Sequence, residues 1–258
     1  MTDAPARTAA LDRLWNDLRT KGQVPFAVGD TVVWLFRGTA SQVAWAGDAT
    51  GWQPSATGVR LAGTDLWWRR ERQAADARLD YKVVLNGNDW RLDPANPLQQ
   101  WSGFGPNSEL RMPAYRYPAE TIRSAGVPAG RLGDPQVMTS TALGYPVRYR
   151  VYTPAGYDTL ARRLPVLYVT DGHEYAPDGL GALVTVLDNL IATRQVAPLV
   201  AVFVDPRDVN NASVNRRQSE LVPPGGSRGV CNPCRADRFL GFLTDELIPA
   251  VDAAYRTQ

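Results

Sequence analysis

Two short polar segments carry the side chains in this sequence that are best suited to chemistry. Residues 170–175 follow the apolar run at 166–169, and residues 205–211 follow the apolar run at 199–204. Both runs are typical of buried parallel strands. Because ligands bind beyond the carboxyl ends of such strands, we expect a candidate site where these two segments meet.

The first segment contains Asp171, Gly172 and His173, and its Asp-Gly pair has two interpretations. It is a common turn signal, in which the Asp caps the residues that follow. It is also the kind of tight turn that aims backbone N–H donors at the oxyanion formed in acyl transfer. His173 is the only histidine in the chain.

Different patterns of elements surround these segments. Residues 11, 14, 15 and 18 are Leu or Trp at helical spacing, which predicts a helix over about 9–20. Short β-branched or aromatic runs at 31–36, 42–46, 66–70 and 79–85 predict an antiparallel β-sandwich. After residue 141, apolar runs alternate with apolar helical faces, as in a parallel α/β sheet. We therefore predict an N-terminal helix over 1–24, a β-sandwich over 25–115, a linker over 116–140 and an α/β domain over 141–258.

The composition argues against two kinds of partner. Twenty-eight Lys and Arg against 26 Asp and Glu give a net charge of +2, and the basic residues are dispersed, which argues against nucleic acid. The chain has neither a run of about 18 apolar residues nor an N-terminal signal pattern. These features predict a soluble, cytoplasmic protein without a membrane partner.

Four motifs of the predicted sandwich resemble the immunoglobulin-like early-set module found at the N-termini of glycogen-branching enzymes and enterochelin-type esterases. They are Gly-Asp-Ala-Thr-Gly-Trp at 47–52, Trp-Trp at 67–68, Tyr-Lys-Val-Val-Leu-Asn-Gly at 81–87 and Leu-Asp-Pro-Ala-Asn-Pro at 92–97. Related modules bind glucans, so a carbohydrate platform is one alternative, although tryptophans in a small sandwich are more often core. The tryptophans concerned are Trp45, Trp52, Trp67, Trp68 and Trp90.

The second domain resembles the esterase branch of the α/β-hydrolases that includes enterochelin esterases and mycolyltransferases. The resemblance rests on Pro-Val-Leu-Tyr-Val-Thr-Asp-Gly-His at 165–173, followed by residues 187–191 and Asp205. It implies a carboxylic ester hydrolase that acts on a small-molecule ester through a Ser-His-acid triad and an acyl-enzyme, without a cofactor or metal. In this branch the residue after the Asp-Gly pair donates its backbone N–H to the oxyanion, which here is His173. Because the triad histidine follows the serine and the acid in this fold, the His173 side chain is expected to line the pocket.

The same resemblance extends to Arg217, Glu220 and Leu221, which match an Arg-x-x-Glu-Leu element of the family's substrate pocket. The planar guanidinium of Arg217 would suit a carboxylate or catecholate oxygen. The competing interpretation is a solvated surface loop stiffened by an ion pair. The predicted substrate-binding residues are therefore Asp171, Gly172, Arg217 and Glu220.

Two further motifs are weaker. Residues 225–229 match G-x-S-x-G around Ser227, but the preceding Pro223 and Pro224 cannot sit in a central strand, so a loop is predicted rather than a nucleophile elbow. Cys231 and Cys234 form a C-x-x-C motif. It favours a loop-stabilising disulfide or a free thiol pair, with thiol redox chemistry as an alternative function, and zinc would lack a fourth ligand.

The triad itself has no acceptable candidate in this sequence. We expect the chain to hold the N-terminal half of the hydrolase domain, to be inactive alone and to self-associate through an exposed sheet edge. The competing class of function is a non-catalytic module that binds a ligand or carbohydrate.

Overall fold

The computed structural model describes residues 4–223 and 233–258. The chain divides into two compact units, Met1–Tyr117 and Pro118–Gln258. Each unit has its own sheets and its own hydrophobic core.

The first unit begins with helix α1, Ala4–Thr20, which starts five residues before the predicted helix and ends at the predicted residue. Its apolar positions follow the helical period, so Leu11 and Leu18 are buried on one face. They pack in one cluster with Leu35 and Leu66. The helix is therefore held by tertiary packing on the sheets of its own unit.

Nine strands follow α1 in two antiparallel sheets. In chain order they are β1 (Phe26–Val28), β2 (Thr31–Arg37), β3 (Val43–Gly47), β4 (Val59–Arg60), β5 (Leu66–Arg72), β6 (Arg78–Leu85), β7 (Asp89–Arg91), β8 (Gln99–Ser102) and β9 (Gly105–Arg111). One sheet has the order β1-β2-β5-β4, and the other has the order β3-β6-β9-β8 with β7 paired to β6. The four runs that predicted strands correspond to β2, β3, β5 and β6.

A single core joins these two sheets. Trp34 and Trp67 from the first sheet share it with Trp45, Tyr81 and others from the second. The rings of Trp34 and Tyr81 meet edge to face with centroids 4.7 Å apart. Of the five tryptophans considered for carbohydrate binding, Trp45 and Trp67 are buried, and the other three are 36–42% exposed.

The Leu-Asp-Pro-Ala-Asn-Pro motif forms a buried polar turn against this core. Asp93 accepts hydrogen bonds from the Tyr81 hydroxyl at 2.8 Å and from the Ala95 N–H at 2.9 Å. The Asn96 amide donates to the Glu109 carbonyl at 2.9 Å. Burial raises the pKa of Asp93 to about 6, and the hydrogen bonds it accepts oppose that rise.

The second unit is built on one five-stranded sheet. Its strands are β10 (Arg131–Leu132), β11 (Gln136–Ser140), β12 (Tyr145–Thr153), β13 (Val166–Val169) and β14 (Val200–Asp205). The order is β10-β12-β14-β13, with β11 also paired to β12. Strands β13 and β14 are parallel, as predicted, whereas β12 runs antiparallel to β14.

Helical segments cover both faces of this sheet. They are α2 (Gly172–Tyr175), α3 (Leu183–Ala192), α4 (Arg217–Leu221), α5 (Ala236–Gly241), a π-helical turn (Phe242–Leu247) and α6 (Ile248–Ala254). On one face Leu187 packs with Ala201 and Phe203. On the other, Phe242 and Val251 pack with alternate residues of β12 and β14. The two predicted helical faces therefore both pack against the sheet, although Leu180 precedes α3.

Strand β13 lies nearer the edge of the sheet than its apolar sequence predicts. Every residue of β14 is buried, because β12 and β13 flank it. In the part of the chain that is described, β14 is the only strand paired with β13, and Leu167 is 38% exposed. Just before β13, Leu164 forms a parallel bridge with Thr257.

Residues 116–140, which the sequence predicts as a linker, differ from that expectation. They include β10 and β11, and the segment before them is tied to α3 by a buried carboxylate. Asp188 accepts hydrogen bonds from the Gly130 N–H at 2.8 Å, the Tyr152 hydroxyl at 2.7 Å and Arg123 at 3.2 Å. The Pro, Gly and Ala content of this segment does not predict the attachment. The attachment depends on backbone groups and on partners distant in sequence.

No helix within the described ranges is long and apolar enough to cross a membrane.

Candidate active site

The two polar segments singled out by the sequence lie next to each other at the carboxyl ends of β13 and β14. The parallel register pairs Val169 with Phe203, so the residues after each strand emerge at the same edge of the sheet. This is the position at which open α/β sheets bind ligands.

Gly172 brings the chain after β13 close against β14. A Cβ atom at this position would lie 2.5 Å from the Phe203 carbonyl carbon, so only glycine fits without movement of the backbone. Asp171 before it has a φ of 51°, a left-handed conformation that Asp tolerates better than most residues. The turn predicted from the Asp-Gly pair is therefore present, and it packs directly against the backbone of β14.

The backbone donors of this turn are only partly engaged. The N–H groups of Glu174 and Tyr175 donate to the Asp171 carbonyl at 2.8 and 3.2 Å. Among the described residues, no acceptor takes a hydrogen bond from the His173 N–H. The donor that the family resemblance assigns to an oxyanion is therefore available.

The His173 side chain is buried beside acidic groups. Its Nδ1 lies 3.4 Å from Asp205 Oδ1, and its Nε2 lies 3.3 Å from Glu174 Oε1. Burial lowers the pKa of His173, and the Arg207 guanidinium lowers it further, while the nearby carboxylates oppose both effects. The imidazole is thus neutral at pH 7. Its Nδ1 is buried and has no hydrogen-bond partner within the described structure.

Arg217 and Asp171, predicted separately from the sequence, are in direct contact. Arg217 Nη2 lies 3.0 Å from Asp171 Oδ2, joining α4 to the turn after β13. The Arg217 side chain is 40% exposed, whereas that of Asp171 is 8% exposed. The remaining N–H groups of Arg217 can therefore meet a ligand while Asp171 fixes the guanidinium.

Glu220 lies one turn further along α4 and is only 3% exposed. It accepts a 2.6 Å hydrogen bond from the Tyr145 hydroxyl, and burial raises the pKa of Glu220. The ring of Tyr145 in turn lies beneath the guanidinium of Arg216, 4.2 Å from its centroid. A solvated surface loop does not describe Glu220, whose contacts fix the position of α4.

Two arginines of this region were not predicted as site residues. Arg207 forms a two-pronged ion pair with Asp205, at 2.9 Å from Nε to Oδ1 and 2.8 Å from Nη2 to Oδ2. Burial alone would raise the pKa of Asp205, but the Arg207 hydrogen bonds outweigh it and the pKa is lowered. Arg148 reaches the same carboxylate from β12 at 3.7 Å. The signal that could have found Arg148 is its alternation with inward-facing Val147 and Tyr149 in a strand.

A cavity of about 310 Å³ lies on the α2 side of the sheet, and Asp171, Arg217 and Glu220 are not among the described residues that line it. Its lining includes Arg148, Arg150, Gly172, His173, Asp205 and Arg207. Serine is not among the described residues that line it. Ser227 and Cys231 lie outside the described residues, and Cys234 is disulfide-bonded.

Comparison with known proteins finds a family match within the second unit. Residues 140–258 match the family model described as "Putative esterase". No curated protein sequence matches the chain.

Among solved structures, the chain is similar to ferric enterobactin esterase from Salmonella typhimurium, with a TM-score of 0.66 and 21% identity over 94% of this chain and 67% of that one. It is also similar to the enterobactin esterase of Shigella flexneri determined with enterobactin, with a TM-score of 0.63 and 22% identity over 88% of this chain and 61% of that one. At these identities the likeness shows a shared fold. The chain thus spans about three fifths to two thirds of the length of these enzymes. The family resemblance inferred from the sequence is confirmed: residues 140–258 match the esterase family, and the chain has the fold of the enterobactin esterases.

Proposed function

We propose that this chain forms the substrate-recognition part of an enterochelin esterase-like enzyme, which hydrolyses a small-molecule carboxylic ester through an acyl-enzyme. In this account the His173 backbone N–H is an oxyanion donor. Asp171 and Gly172 shape the turn that presents it, and Arg217 and Glu220 belong to the substrate pocket.

The free N–H of His173 is the observation that carries the proposal. Acyl transfer places negative charge on the carbonyl oxygen, and a donor fixed in advance stabilises that charge without reorganising. Gly172 has no room for a side chain and Asp171 is held by Arg217, so the turn cannot move easily. A rigid, unpaired donor at the ligand-binding edge of the sheet is suited to this role.

The proposal that Arg217 contacts the substrate rests on the partial exposure of its side chain and on its ion pair with Asp171. One N–H edge is engaged by Asp171, and the partly exposed remainder suits an oxygen-rich anionic substrate. The similar enzymes are described as esterases of enterobactin, and an ester of that class is the substrate we propose.

For the first unit we propose an immunoglobulin-like early-set module. Support comes from two antiparallel sheets that share one core and from the structural role of the Leu-Asp-Pro-Ala-Asn-Pro motif, whose Asp and Asn side chains are buried and hydrogen-bonded. Carbohydrate binding is not proposed, because two of the five tryptophans are core residues.

The chain alone is expected not to turn over an activated aryl ester. The two ring nitrogens of its single histidine face the Asp205 and Glu174 carboxylates, and serine is not among the described residues that line its cavity. The measurement is release of p-nitrophenol from a p-nitrophenyl ester, compared with buffer and with Ser227→Ala. Turnover that survives Ser227→Ala and is blocked by a serine-directed phosphonate would reveal a nucleophile elsewhere and contradict this part of the proposal.

A further inference from the structure

The cavity beside His173 has an excess of positive charge. Arg207 and Asp205 neutralise each other through two hydrogen bonds. Arg148 lies 3.7 Å from the already paired Asp205. Arg150, also in the lining, has no carboxylate within ion-pair distance among the described residues.

Both of these arginines are oriented by backbone carbonyls. Arg148 Nη2 donates to the Val209 carbonyl at 2.5 Å, and Arg150 Nε donates to the Gly133 carbonyl at 2.9 Å. Each guanidinium therefore has a fixed direction and retains further N–H donors. Arg148 and Arg150 lie two residues apart on β12, so they project from the same face of the sheet.

The remaining walls are apolar or neutral. Phe203, Ala176 and Pro177 line the cavity together with the neutral imidazole of His173. The volume of about 310 Å³ is at the lower end of the roughly 300–1,000 Å³ typical of small-molecule sites. A ligand that matches this lining has one planar anionic group and a compact apolar body.

We infer that this cavity is a binding site for a small monocarboxylate with an apolar body, of which benzoate is the simplest probe, held by Arg148 and Arg150. A planar carboxylate fits the guanidinium fork. A phosphate dianion fits less well, because it has no apolar body to contact Phe203, Ala176 and Pro177. Binding here does not depend on the proposed ester hydrolysis and can be measured without turnover.

The single histidine gives a direct probe of this site. Labelling with ¹⁵N-histidine yields one imidazole, and it lies in the cavity wall. Titration with benzoate is expected to shift the imidazole signals in a saturable manner. Benzamide, which has the same shape without the charge, is expected to bind at least about tenfold more weakly.

Variants assign the effect to the two arginines. Arg148→Gln and Arg150→Gln should each raise the benzoate Kd about tenfold or more, the loss expected for a charge-assisted hydrogen bond. Arg162→Gln is the matched control, because Arg162 is exposed and precedes β13, at the far end of that strand. It should leave the Kd unchanged.

Several outcomes would overturn the inference. They are no saturable shift of the imidazole, equal affinity for benzoate and benzamide, or unchanged affinity in both arginine variants. Tighter binding of inorganic phosphate than of benzoate would overturn the carboxylate assignment. The comparison of benzoate with benzamide uses the wild-type chain, so it decides the question even if an arginine variant does not fold.

Discussion

Gly172 is the residue on which the geometry of the candidate site depends most directly. Its missing side chain lets the turn after β13 rest on the backbone of Phe203. We predict that Gly172→Ala destabilises the second unit by about 1–3 kcal/mol, as overpacking does, and shifts the His173 amide signal. Gly179→Ala is the control, because a Cβ atom there would have no neighbour within 4 Å. Hydrogen exchange of β14 amides measures the effect, and equal behaviour of the two variants would contradict the packing argument.

The sequence predicted local structure at the candidate site correctly where the signal lies in consecutive residues. Asp171, Gly172 and His173 are consecutive and follow a recognisable strand, so the turn was predictable. The contact of Arg217 with Asp171 depends on residues distant in sequence, and only the family resemblance suggested both. Arg148 was missed, because its approach to Asp205 requires the register of β12 against β14. Arg207 was missed although it pairs with Asp205 only two residues away.

At the scale of elements, the buried turn at Asp93 ties β6 to the segment before β8 and should give the first unit a distinctive pH dependence. The pKa of Asp93 is raised from 3.8 to about 6, so the folded state favours the protonated carboxyl. The corresponding stability is present below pH 4 and is lost as the pH rises through about 6. At pH 7 the loss is about 3 kcal/mol.

Asp93→Asn, which mimics the neutral carboxyl, isolates this effect. Its unfolding free energy relative to wild type should increase between pH 4 and pH 7. All eight tryptophans lie in the first 117 residues, so urea unfolding followed by tryptophan fluorescence reports this unit. A difference between the two proteins that does not change with pH would show that the Asp93 carboxyl is not shifted.

The spacing of apolar residues predicted most helices and strands, but not which of them pair or pack with one another. The apolar faces of α3 and of the segment from α5 to α6 repeat at helical spacing and are buried as expected. The apolar run of β13 predicted a buried strand, yet apolar content does not say whether a strand has one partner or two. The attachment of residues 118–130 to α3 was also hidden, because much of it consists of backbone groups bonded to Asp188 and Asn189.

For the whole molecule, the exposed side of β13 predicts self-association. Unpaired N–H and C=O groups on an edge strand are a template for pairing with another chain. Sedimentation velocity should show association that grows with concentration and is reduced by Leu167→Lys. Leu240→Lys, on α5 where the side chain is 58% exposed, is the control and should have no effect. A monomer at every concentration would contradict the prediction, and an effect of Leu240→Lys alone would assign association to the helix instead.

The central claim is that the His173 N–H is a donor for the carbonyl oxygen of an ester, and the single histidine makes it directly measurable. A chain labelled with ¹⁵N-histidine gives one backbone amide signal from a histidine, separate from the imidazole that reports the anion cavity. Titration with the neutral methyl ester of N-benzoylserine should move this amide proton downfield in a saturable manner, and Arg217→Gln should weaken the binding. The account of His173 as an oxyanion donor would be contradicted if the amide signal stayed fixed while the ester bound elsewhere. It would also be contradicted if the amide signal stayed fixed while benzoate still shifted the imidazole signals.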